Sequence, residues 1–171
     1  LLNKTIETFG RWDPVKQHEG MPVSLSVSVT FEGLDNLRNR HQPGFSATVS
    51  HTFTDRLALY ATPTYVAKTH DADLVVSHHD DLPAGEHANH HDTSYLGLGA
   101  RLRFSPTGYV VGEYSPRMSG YDPNADTWTV GVEKWTRRGH TLMLNFGNSF
   151  GTTPGQIARG GNEGQIFLGF N

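Results

Sequence analysis

Between Pro22 and Phe31 the chain reads Pro-Val-Ser-Leu-Ser-Val-Ser-Val-Thr-Phe, with every second residue apolar and every residue between them a serine or threonine. A period of two marks a β-strand, whose side chains alternate between its two faces. One face here carries Val23, Leu25, Val27, Val29 and Phe31; the other carries only small uncharged hydroxyls. A half-exposed strand of a soluble protein turns Lys, Glu or Gln to water, so these two faces meet two different solvents. About 9 to 11 tilted residues cross the hydrocarbon core of a bilayer as one strand of a closed barrel, and this run is long enough.

The alternation recurs along the chain, each run bounded by turn chemistry. Residues 44–53 set Phe45, Ala47, Val49 and Phe53 against Ser46, Thr48, Ser50 and Thr52; residues 57–68 follow, with Pro63 marking a bulge or gap because proline cannot donate to a ladder. Residues 94–104 place Leu96, Leu98, Ala100, Leu102 and Phe104 on one face and Arg101 and Arg103 on the other. Runs at 109–116 and 127–135 add Glu113 and Glu133 to that second face, and runs at 140–150 and 165–171 complete the set. The fold predicted is all-β, an antiparallel transmembrane β-barrel with about eight strands in this chain. Residues 1–20 read as the end of an earlier strand and a connection, and residues 21–171 as the barrel portion. Turns near 54–56, 106–108 and 137–139 are minimal, whereas 32–43, 69–93, 117–126 and 151–164 read as long loops, the asymmetry of short periplasmic turns and long external loops. Phe31, Phe45, Phe53, Tyr65, Phe104, Tyr109, Tyr114, Trp128, Trp135 and Phe150 fall near run ends, as aromatic girdles require.

Composition agrees. The 171 residues suit one domain, and a net charge of −3 leaves no basic surface for nucleic acid. Cysteine is absent, which excludes disulfide scaffolds and thiolate metal sites. A mean hydropathy of −0.47 is no objection, because alternating strands average to a soluble-looking value. The competing architecture is a soluble lipocalin-like barrel or sandwich.

Several blocks, taken together, resemble a family of bacterial outer-membrane β-barrels that carries a domain-of-unknown-function label. They are Met21-Pro-Val-Ser, Leu59 to Lys68, Gly97-Leu-Gly-Ala-Arg, Gly112-Glu-Tyr, Gly131-Val-Glu, Gly139-His-Thr-Leu-Met-Leu-Asn-Phe-Gly-Asn-Ser and Phe167-Leu-Gly-Phe-Asn. The resemblance spans residues 21–171 and implies the fold, an outer-membrane location in a diderm bacterium, and a complete barrel of about ten to twelve strands. It brings no catalytic or binding residues with it.

Residues 69–93 hold six of the ten histidines, among them His78, His79, His87, His90 and His91, beside Asp92. Imidazole and carboxylate suit zinc, copper or nickel, so weak divalent-metal binding is one expectation and a hydrated external loop is the other. Asp122, Asn124 and Asp126 match half of a calcium loop but lack its glycine and closing glutamate. No nucleophile elbow, phosphate-cradling loop or zinc-protease motif occurs, and His51 and His140 are the only histidines placed to tempt a hydrolytic reading, so no enzyme is expected.

Arg101, Arg103, Glu113 and Glu133 are the lumen charges expected to set selectivity. A three-residue turn after Ser105 would put Arg101 opposite Glu113 and Arg103 opposite Val111; the same logic at 137–139 puts Trp135 opposite Thr141 and Glu133 opposite Met143. The function expected is a passive channel or small porin-like pore in the lipid bilayer. The alternative is a structural or docking barrel in an outer-membrane or redox complex, with the His-rich outer loop as a metal-binding surface and other outer-membrane or periplasmic proteins as partners.

Overall fold

A computed structural model describes residues 5–34, 37, 39–70, 91–120, 125–136, 139–149 and 151–170. Its strands are β1 (Thr5–Val15), β2 (Ser24–Leu34), β3 (Asn39–Thr52), β4 (Leu57–His70), β5 (His91–Ser105), β6 (Gly108–Ser115), β7 (Arg117–Ser119), β8 (Thr127–Trp135), β9 (Thr141–Gly147) and β10 (Phe167–Phe170), with one five-residue helix, α1 (Pro154–Ala158). They form a single ten-stranded sheet in the order β1-β2-β3-β4-β5-β6-β8-β9-β10, each joined to the next in antiparallel register, with β7 paired to β5. The ten strands exceed the eight expected by two: residues 5–15 are a full strand paired to β2 from Thr5↔Leu34 onward rather than a strand end, and β7 lies within the expected loop 117–126. The sheet is open, with β1 and β10 at its edges.

Alternation sets the faces. Ser28 pairs with Ser46 and Val27 with Ala47, so the hydroxyl face of β2 continues into β3, and the register carries it to Thr62 and Thr64 of β4. Hydroxyls bond across strands on this face: Ser28 with Ser46 at 2.6 Å, Thr48 with Thr62 at 3.0 Å, Thr69 with Thr93 at 2.6 Å. The opposite face bears exposed apolar side chains on successive strands, among them Val29, Val49, Leu59, Leu98, Val130 and Leu144. A contiguous apolar surface of this extent has no stable place in water and fits the hydrocarbon of a bilayer. No helix among the described residues is long and apolar enough to cross a membrane, which says nothing of strands.

Several local expectations need adjustment. The segment 32–43 is not a long loop: β2 and β3 pair through Phe31↔Pro43 and Glu32↔Gln42 to Leu34↔Asn39. In 117–126, β7 continues the line of β6 beyond Pro116, which has no N–H with which to extend the ladder. Residues 69–70 and 91–93 are strand. At Pro63 the ladder to β3 lapses between Thr64 and Ala61 with no change of register, a gap rather than a bulge. The β5–β6 turn has two residues, not three: Ser105 faces Gly108, and a bulge between Arg103 and Ser105 restores the register so that Arg101 faces Val111 and Glu113 faces Gly99. At the β8–β9 turn both expected pairs are present, Trp135↔Thr141 and Glu133↔Met143. There Gly139 takes φ 80°, the left-handed conformation that a glycine adopts without strain.

Among the described residues, buried apolar packing is confined to the inner face at the loop end. Val66 and Tyr95 are buried there together with Ala158 of α1, and Ile157 packs against them. The connection between β9 and β10, expected to be an external loop, therefore folds inward over β3, β4 and β5.

Candidate functional site: a charged inward face covered by α1

α1 begins at a capping box. Thr153 accepts from the N–H of Gln156, the Gln156 side chain returns to the Thr153 N–H, and Pro154 fills the first turn. Glu32 stands on the inward face of β2, 2% exposed, where the run of hydroxyls would have put another serine. It accepts hydrogen bonds from the Thr153 hydroxyl and from Arg159 Nη2, the latter at 2.9 Å, and the same Nη2 lies 2.6 Å from Gln42 Oε1. Gln42 in turn donates to the Lys68 carbonyl at 2.9 Å. A Cβ on Gly155 would press on both Glu32 and Gln42, so only glycine lets the helix sit this close. The other side of the connection is knitted to its neighbours: Asn148 donates to the Asp126 carbonyl at 2.8 Å and accepts from the Trp128 N–H at 2.8 Å, and Ala125 bridges Gly161.

The four expected lumen charges share the inward face, but Arg101, Arg103 and Glu113 do not meet the partners expected of them. Arg101 forms a two-pronged pair with Glu133, Nε to Oε2 at 3.1 Å and Nη2 to Oε1 at 2.9 Å, instead of meeting Glu113. Its guanidinium lies 3.6 Å from the Tyr109 ring centroid and 5.2 Å from that of Trp135, whose indole N–H bonds Glu133. Tyr109 and Trp135 thus belong to the inner face, not to a girdle; the register, Arg103↔Tyr109 and Tyr109↔Glu133, requires it. Arg103 closes on its own turn, donating to the carbonyls of Ser105 and Pro106. Glu113 accepts from the Tyr60 hydroxyl at 2.7 Å and the Ser115 hydroxyl at 3.2 Å.

His78, His79, His87 and His90 lie outside the described residues. His91 pairs with His70 through the backbone. Asp92 is engaged by the Tyr65 hydroxyl and the Lys68 N–H. No group of three metal-ligating side chains occurs among the described residues. Asp126 accepts from the Tyr114 hydroxyl at 2.6 Å and the Arg117 N–H at 3.0 Å; these bonds, the tyrosine's first, hold its carboxyl below the usual carboxylate range. His51 is tied to the Pro22 carbonyl at 2.6 Å and packs edge-on against Phe53. His140 sits at the turn, its N–H on the Thr136 hydroxyl.

Sequence reasoning missed the latch between α1 and β2. Two signals were present, the Thr-Pro-Gly-Gln capping pattern at 153–156 and the lone carboxylate at the end of the hydroxyl face of β2.

No curated protein and no solved structure matches the chain. One family model does, the membrane bound beta barrel domain DUF5777, and it covers residues 1–171, including the N-terminal strand outside the resemblance. With its two-solvent sheet and its match over the full length, the chain belongs to that family of membrane-bound β-barrel domains.

Proposed function

We propose that this protein is a narrow, porin-like conduit of the outer membrane of a diderm bacterium, its aperture set by α1. The observation that carries the reading is the inward face itself: a continuous field of serine and threonine hydroxyls with charges between them, a surface that water wets, on a sheet whose other face is apolar. Lumen hydroxyls and charges of this kind set what passes through a pore. The latch of Glu32, Thr153, Gln42 and Arg159 then fixes how far the mouth opens. In this reading the short turns face the periplasm and the longer connections the exterior.

Removing Arg159 leaves a carboxylate buried without its counter-ion, which costs about 3–5 kcal/mol in a dry interior and less in a wet one. Arg159→Ala is therefore expected to free the connection and raise single-channel conductance in planar bilayers several-fold over a small wild-type current. Silence from both proteins, each verified as folded, would leave a sealed barrel and overturn the conduit.

A further inference from the structure

We propose that the short-turn mouth of the lumen holds a saccharide-binding subsite built from Arg101, Glu133, Tyr109 and Trp135. The inference rests on the conduit reading and adds the class of solute.

Trp135 stands on the inward face and is nevertheless 45% exposed. Tyr109 lies against it, the ring centroids 5.4 Å apart and the planes inclined by 45°, so the two rings form one bent apolar shelf on a polar wall. The area that Trp135 leaves uncovered is free to meet a solute with an apolar face.

Beside the shelf stands a fork whose parts are already fixed to one another. Arg101 donates from Nε and Nη2 to the two oxygens of Glu133, at 3.1 and 2.9 Å, with its guanidinium 3.6 Å from the Tyr109 centroid. Glu133 also accepts the Trp135 indole N–H, which ties the shelf to the fork. Among the described residues the Nη1 group of Arg101 has no hydrogen-bond partner, so its two donors remain for a ligand. A site locked before its solute arrives has little side-chain ordering left to oppose binding.

An aromatic wall with a few fixed polar groups is the usual composition of a small-molecule site. A sugar ring offers the matching surfaces, an apolar face of C–H groups and a rim of hydroxyls, each of which both donates and accepts. The face suits Trp135 and Tyr109; neighbouring hydroxyls suit the Arg101 donors and the Glu133 oxygens. A simple ion fits less well, because guanidinium and carboxylate cancel one another's charge, and Arg103 beside them is turned onto the carbonyls of Ser105 and Pro106.

Two measurements on the purified full chain test this. Calorimetry in micelles with glucose, galactose and maltotriose reads binding whether or not current flows, and the same sugars in planar bilayers read partial block of the single-channel current. Saturable millimolar binding of at least one sugar is expected, weak enough for release from a pore. Trp135→Ala is expected to weaken it about three- to tenfold and Trp135→Tyr to keep most of it, while Glu133→Gln weakens it with the shelf in place. Current without sugar binding would overturn the subsite and leave the conduit standing. Binding that Trp135→Ala and Glu133→Gln both leave unchanged would also overturn the subsite. Binding weakened by both variants in a barrel that passes no current would uphold the subsite and remove the conduit.

Discussion

Tyr60 reaches Glu113 across a whole strand. Its ring lies over Gly99 of β5, directly between them in the register, where a Cβ would overlap the ring. A valine at this position must displace the tyrosine, at a cost of about 1–3 kcal/mol of overpacking. Gly99→Val is expected to lower the urea midpoint of the barrel in micelles accordingly. Adding Tyr60→Ala should recover part of the loss, a coupling that only direct contact produces; strictly additive losses would refute the contact. At the loop end, Asp126 titrates below its ordinary range. A group whose pKa is lower in the folded state contributes stability that is present above its unfolded value and is lost as pH falls through the folded one. Acidification from about pH 5 to pH 2 should therefore loosen the loop end, by a small amount because the pair is exposed. Asp126→Asn should flatten that part of the thermal-unfolding profile, and an unchanged profile would deny Asp126 the role.

Periodicity made most strands legible, and local chemistry misread several connections. At the β5–β6 turn, Pro106 and Gly108 announced a hairpin correctly, but proline and glycine at those positions fit a two-residue loop preceded by a bulge as well as a three-residue one. Either solution returns Arg101 and Glu113 to the inward face, since alternation fixes the face; only the bulge fixes the partner, and it moved Arg101 from Glu113 to Glu133 two strands away. The latch of α1 on β2 was hidden for a different reason. Glu32 lies 121 residues from Thr153 and 127 from Arg159, so neither end of the latch carries a local mark of the other. β1 escaped because Thr8 and Gly10 interrupt the apolar set of Ile6 and Trp12, and Phe9 stands among the polar residues of the other face.

At the scale of the whole molecule, membrane residence and polar interior were readable from eight alternating runs, while the interior's contents were not. Among the described residues the charges of the inward face are few and distant in sequence, and which of them meet is decided by strand register summed over the sheet. The same bookkeeping of direction reaches the two free edges. Nine strands follow one another along the path, each reversing the last, so β1 and β10 point the same way. Placed side by side they would form a parallel seam, and a ring of copies turned about the membrane normal would repeat that seam at every junction, because such a rotation preserves direction. Only an odd number of strands set between the edges makes every seam antiparallel, as in bacterial single-chain barrels. One such strand holds the edges about 9–10 Å apart, beyond the roughly 7 Å that a disulfide spans between Cα atoms. Cysteines at Thr8 and Leu168 are thus expected not to cross-link in native membranes; ready oxidation of that pair would reveal a barrel that closes against parity.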